Sequence, residues 1–127
     1  MTIKINYIKD SSTIKKERVV LRVLTDDELG LYFLFKTTEN EDNTVANSVS
    51  NPFWFPDKTV KAGDLVVIYS REGTPSEVKN KSGSTTHFFY LDSPKTIWNK
   101  SSDCAVLLEC KSWEVRSVGE TEETDEI

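Results

Sequence analysis

The apolar residues of this chain fall in short runs of strand length, rich in Val, Ile, Phe and Tyr and broken by Gly, Pro, Asn, Asp or Ser, and no stretch sustains a helical period. That pattern argues for an all-β domain against helical bundles and alternating βα folds. Ile3, Ile5 and Tyr7 alternate with polar neighbours and predict a first strand; Glu17 to Thr25 predicts a second, beyond the turn residues Asp10-Ser11-Ser12. Leu31 to Thr37 (LYFLFKT) is nearly continuous in apolar residues and reads as a strand buried on both faces. Glu39 to Asn51 reads as a long polar loop. Phe53-Trp54-Phe55 stops at Pro56, and Val60 to Asp64 turns the chain into Leu65 to Ser70. A second polar stretch, Arg71 to Ser84, with Gly73, Pro75 and Gly83, predicts a mobile loop before a strand at Thr85 to Leu91. Ile97-Trp98 leads through a tight turn, Asn99 to Ser102, into a strand at Asp103 to Cys110, and Ser112 to Val118 reads as the closing strand. About eight or nine short strands without a helix is the pattern of a β-sandwich or a small barrel.

The length of 127 residues suits one domain, large enough to bury a core without metals or a disulfide framework. Charge divides it: of the 21 acids five fall in Gly119 to Ile127, which holds no base, leaving sixteen to match the sixteen Lys and Arg of residues 1–117. We therefore expect a neutral folded domain over residues 1–117 and an acidic, disordered tail over residues 118–127 that keeps the chain soluble or docks a partner. A neutral body gives no overall attraction for phosphate backbones, so nucleic acid is disfavoured, although a local basic face is compatible with the count. No run of roughly 20 apolar residues could span a membrane, and Met1 to Asp10 lacks the apolar core of a secretion signal; a cytoplasmic protein is the simplest reading. Cys104 and Cys110 lie in one predicted strand with backbones roughly 20 Å apart, too far for a disulfide, which agrees with a reducing compartment.

The order of elements resembles the lamin-tail domain family. The aromatic-Phe-Pro element Phe53-Trp54-Phe55-Pro56, followed by Lys-Ala-Gly-Asp and the apolar strand Val60 to Tyr69, looks like the middle of such a domain. Ile97 to Leu108 is similar to the family's Trp-Asn-x-x-Gly-Asp segment, with Ser102 where the family usually has Gly. Arg18 to Leu24 and Leu29 to Phe35 fit its opening strand and its Leu-x-x-aromatic-x-Leu element, with Tyr32 where Trp is common. The match runs from about residue 17 to 116; Met1 to Lys16 lie outside it and could add an edge strand, and the Arg71 to Ser84 insertion has no counterpart. The resemblance implies an immunoglobulin-like β-sandwich that serves as a binding and interaction module.

Catalytic sets are hard to assemble from these residues. His87 is the only histidine and sits inside an aromatic strand, and one His with two Cys at this spacing fits no recurrent zinc pattern. A calcium site from Glu39, Glu41 and Asp42 is outweighed by a plain solvated loop. Asp64 and Asp103 each begin a strand after a turn, where a carboxylate accepts nearby backbone N–H groups, so both read as turn stabilisers. Glycines are isolated, without a phosphate-binding loop. Phe33, Phe35, Phe89, Trp98 and Trp113 sit in apolar strands and read as core filling the sandwich. We expect no catalysis, no cofactor and no metal. The expectation is a protein-protein module whose partner is another protein or a second copy. Its candidate contact residues are Phe53 and Trp54, partly exposed beside Pro56, with Arg71, Lys79 and Lys81 in the second polar loop. The alternative is a ligand-binding sandwich whose exposed aromatics stack against carbohydrate or single-stranded nucleic acid.

Overall fold

The computed structural model describes residues 1–119; the acidic stretch from Glu120 onward lies outside the described residues. Alternating and continuous β-branched runs pair into two sheets that bury one face each. The larger is built from β1 (Ile3–Lys9), β2 (Arg18–Val23), β7 (Leu65–Tyr69), β9 (Thr85–Tyr90) and β8 (Ser76–Lys79), adjacent in that order. The smaller places β10 (Asp103–Glu109), β4 (Tyr32–Thr38) and β5 (Ser50–Trp54) side by side. A two-residue ribbon, β3 (Asp27–Glu28) with β6 (Thr59–Val60), closes one end, and Leu29–Leu31 forms a single 3₁₀ turn.

Val19, Leu21, Val23, Val66, Ile68 and Phe89 face inward from the large sheet and meet Tyr32, Leu34 and Leu107 of the small one. Phe55, Val60, Ile97 and Trp98 fill the ends. Each such side chain contributes about 1.5–3 kcal/mol by leaving water, so the two inner faces carry the sandwich. The all-β expectation holds, with ten strands among the described residues.

Several local readings are corrected. Ser76–Lys79, expected within a mobile loop, is the edge strand β8; a turn in which the Asn80 N–H donates to the Ser84 carbonyl (2.8 Å), with Gly83 at φ 93°, brings it against β9. β9 returns parallel to β7, an arrangement that strand-by-strand reading does not reveal. Ser112 to Val118 forms no strand, and Trp113 is half-exposed instead of core. Trp98 is core, but in a connection instead of a strand. LYFLFKT is fully buried along its inner face at Tyr32 and Leu34, while on the outward side Phe33 and Phe35 are only partly buried and Thr37 is buried. Ser102 keeps out of the left-handed region, so the turn before β10 holds a serine there without backbone strain.

Candidate functional site

The outward face of the small sheet is apolar. Period-two alternation along β4 sends Phe33 and Phe35 outward; Leu108 and Val106, their Cα partners on β10, follow, and Trp54 faces out from β5 beside Phe33. None of these five positions carries a charge. Beyond β10, Trp113 folds back to meet Trp54 edge-on with centroids 5.2 Å apart. Trp54, Trp113 and Leu108 keep 49%, 51% and 44% of their surface in water, well above the zero to few per cent of the inward set. The Trp54 indole N–H donates to the Gly30 carbonyl at 2.7 Å, which fixes a ring that keeps about half of its surface in water. At the far end the loop between β4 and β5 covers the same face: Thr37 is buried and its hydroxyl donates to the Ala46 carbonyl (2.9 Å).

The five sequence-predicted contact residues do not converge. Trp54 lies on this face. Phe53, one residue earlier, points inward and packs on Phe55 and Phe89 with centroids 5.0 and 5.9 Å away, so the expected exposed Phe-Trp pair is split between core and surface by the alternation of the strand. Arg71 lies beyond the end of β7 in the other sheet, its guanidinium 4.7 Å from the Tyr69 ring and 5.1 Å from that of Tyr90, beside a hollow of about 650 Å³ that Lys15 and Asp92 also line. Lys79 ends the edge strand and Lys81 sits in the turn after it, both exposed.

Three buried polar clusters hold the ends of the sandwich. Asp64 accepts from the Lys61 and Thr85 N–H groups (3.0 and 2.9 Å) and lies 2.9 Å from His87 Nε2. Burial pushes the Asp64 carboxyl up, but these hydrogen bonds outweigh it and hold the group below the usual carboxylate range. His87 Nδ1 is buried with no hydrogen-bond partner among the described residues. The pair clamps the turn before β7 to β9. Asp103 works likewise, accepting from the Asn99 and Lys100 N–H groups at 3.0 Å each.

Glu17, fully buried, is the second hub. Its Oε1 accepts from the Ser70 hydroxyl and the Ile97 N–H at 2.6 Å each, and its Oε2 from the Ser12 N–H at 2.8 Å. At the opposite end the buried Tyr32 hydroxyl donates to Asp27 at 2.7 Å and lies 3.4 Å from Glu109, while Thr2 also donates to Asp27. Burial, then the Asp27 carboxylate, pushes the Tyr32 phenol up to about 12. Among the described residues no group of three or more His, Cys, Asp or Glu side chains is placed to hold a metal ion, and no helix is long and apolar enough to cross a membrane.

Sequence reasoning missed Glu17, which it placed only as the opening residue of the second strand, and missed the outward apolar face. The signal for the latter was the continuous LYFLFKT run, which implies cover on both sides without saying what supplies the second. No protein-family model matches the chain, and no curated protein matches it at a significant level.

Proposed function

We propose that the chain is a non-catalytic protein-protein interaction module of the lamin-tail, immunoglobulin-like type, working inside the cell through the outward face of its small sheet. The observation that carries this reading is that face: Phe33, Phe35, Trp54, Val106, Leu108 and Trp113 stand together with no charge among them. Contiguous apolar patches of this kind on a folded surface mark association sites, and an indole fixed by its own hydrogen bond loses little freedom when it is covered. The simplest occupant is a second copy. In a two-fold interface each patch meets itself, which penalises any face with a net charge and suits an uncharged one. Strand addition at the neighbouring edge is less favourable, because Pro52 removes a donor from β5.

Tryptophan emission tests this directly. Trp54 and Trp113 are half in water and Trp98 is already buried, so association moves the spectrum to shorter wavelength as concentration rises. Leu108→Asp, at an outward position, abolishes the shift without unfolding the domain. A spectrum independent of concentration overturns the reading.

A further inference from the structure

The outward face of the large sheet differs in kind from that of the small one. Its register aligns three rows across the strands: Lys4, Arg22, Leu65 and Thr86; then Tyr7, Val20, Val67 and Phe88; then Lys9, Arg18, Tyr69 and Tyr90. Val20 and Val67 form a buried floor at the centre. Around it Phe88, Tyr69 and Tyr90 make a column of nearly parallel rings, Tyr69 to Tyr90 at 5.6 Å and 13° and Tyr69 to Phe88 at 6.3 Å and 22°. Arg71 lies alongside the column across both tyrosines, 4.7 Å from the Tyr69 centroid and 5.1 Å from that of Tyr90, its Nε–H donating to the Lys15 carbonyl at 3.2 Å, and Arg18 lies 5.7 Å from the Tyr69 centroid.

No carboxylate occupies any of these rows, whereas Lys4, Lys9, Arg18 and Arg22 do, and Arg71 adds a fifth cation. The acids nearby are peripheral: Asp10 pairs with Arg18 at 3.0 Å, and Glu72 and Asp92 line the hollow beyond Arg71. In a chain with five more acids than bases, a face this basic is a local concentration of charge.

We propose that this face binds single-stranded nucleic acid without sequence preference, bases stacking on the Tyr69-Tyr90-Arg71 column and phosphates meeting the cations at both ends of β1 and β2. Two observations select this ligand. Cations alone would suit any polyanion, but aromatic rings with a guanidinium on their faces add a surface on which planar bases continue the stack. A duplex hides its base faces, and an acidic peptide has no rings to stack. The face points away from the small sheet, so the proposal stands or falls separately from self-association. The three tryptophans lie elsewhere, so their fluorescence does not report on it.

The test is fluorescence anisotropy of short labelled dT and rU oligonucleotides against the full chain over a range of salt, with the matching duplex and poly-glutamate as competitors. Binding should weaken with salt at a log–log slope of about −2 to −3.5, from roughly 0.7 per phosphate contact and three to five cations. Tyr69→Ala should weaken it by about 5- to 150-fold, the range for losing one base stack. Because that change could loosen the sheet, Lys4→Glu with Arg22→Glu, both exposed and remote from the column, supplies a second variant; it should flatten the salt slope while leaving thermal stability near wild type. Equal binding of dT and rU, or a preference for either, supports the proposal and says which strand is taken. No binding at low salt, a slope near zero, an unaffected Lys4→Glu/Arg22→Glu variant, or competition by duplex or poly-glutamate as strong as by single strand overturns it.

Discussion

Removing the Glu17 carboxylate should cost a large part of the stability of the domain, although the residue sits in a run of charges. Its two oxygens hold three segments distant in sequence: the β1–β2 turn through Ser12, the end of β7 through Ser70, and the Ile97-Trp98 plug through the Ile97 N–H. In Glu17→Ala the Ser12 N–H, near the surface, can turn to water. The Ser70 hydroxyl and the Ile97 N–H cannot, and each buried donor left without an acceptor costs about 1–3 kcal/mol, giving about 2–6 kcal/mol together. Glu17→Gln keeps the volume and one oxygen. Its cheapest orientation leaves that oxygen on Ser70 and Ile97 and turns the amide nitrogen against the Ser12 N–H, a loss of about 1–3 kcal/mol. Urea unfolding followed by circular dichroism measures both, with the order wild type, Gln, Ala in midpoint and an unchanged slope. For a domain of this size the Ala variant should melt roughly 10 °C or more below wild type. An Ala variant within about 0.5 kcal/mol of wild type, the range of an ordinary surface change, would refute the assignment of Glu17 as a hub.

Stability should fall in acid because Asp27, Asp64 and Asp103 are each held below the ordinary carboxylate value in the folded protein, burial in each case being outweighed by hydrogen bonds. Groups with depressed folded values contribute fully above the unfolded value of about 3.9 and lose that contribution as pH drops through the folded ones, so melting temperature should decline below about pH 4 and decline less in Asp64→Asn. At the alkaline end Tyr32 works in the opposite sense: its phenol is raised from 10.0 to about 12, so its contribution is complete below pH 10.0 and lost as pH rises through about 12. Tyr32→Phe should remove the last-titrating tyrosinate absorbance. Gly73→Ala would place a methyl carbon 2.4 Å from the Tyr90 ring, so it should displace that ring, visible as a change in near-ultraviolet circular dichroism. Both cysteines should stay free under mild oxidation, with Cys104 slow toward thiol reagents because burial, then Glu39 and Asp103, raise its thiol.

Strands with a strong period-two or continuous apolar signal were legible: β1, β2, β4, β7, β9 and β10 lie within about two residues of their expected spans. β3, β6 and β8 were not, because Asp27-Glu28, Thr59-Val60 and Ser-Glu-Val-Lys have no apolar pattern of their own and become strands only because partners present a free edge. Trp113 misled in the other direction, since an aromatic residue in a short run reads as core wherever its cover comes from. The same ambiguity hid the candidate site. Phe33 and Phe35 announced that both faces of β4 are apolar, but sequence periodicity does not distinguish cover by the same chain from cover by another. The split of Phe53 from Trp54 was within reach, because neighbouring residues in any strand face opposite ways. The parallel placement of β9 beside β7, which assembles the Tyr69-Tyr90 column, depends on long-range pairing that no local signal carries.

Sedimentation equilibrium of the full chain and of Leu108→Asp tests the central claim most directly. The account predicts that wild type forms a reversible dimer whose weight-average mass climbs with concentration, and that Leu108→Asp remains a monomer with an unchanged circular dichroism spectrum. A wild-type chain that stays monomeric at every concentration, or a Leu108→Asp chain that associates as strongly as wild type, would contradict it.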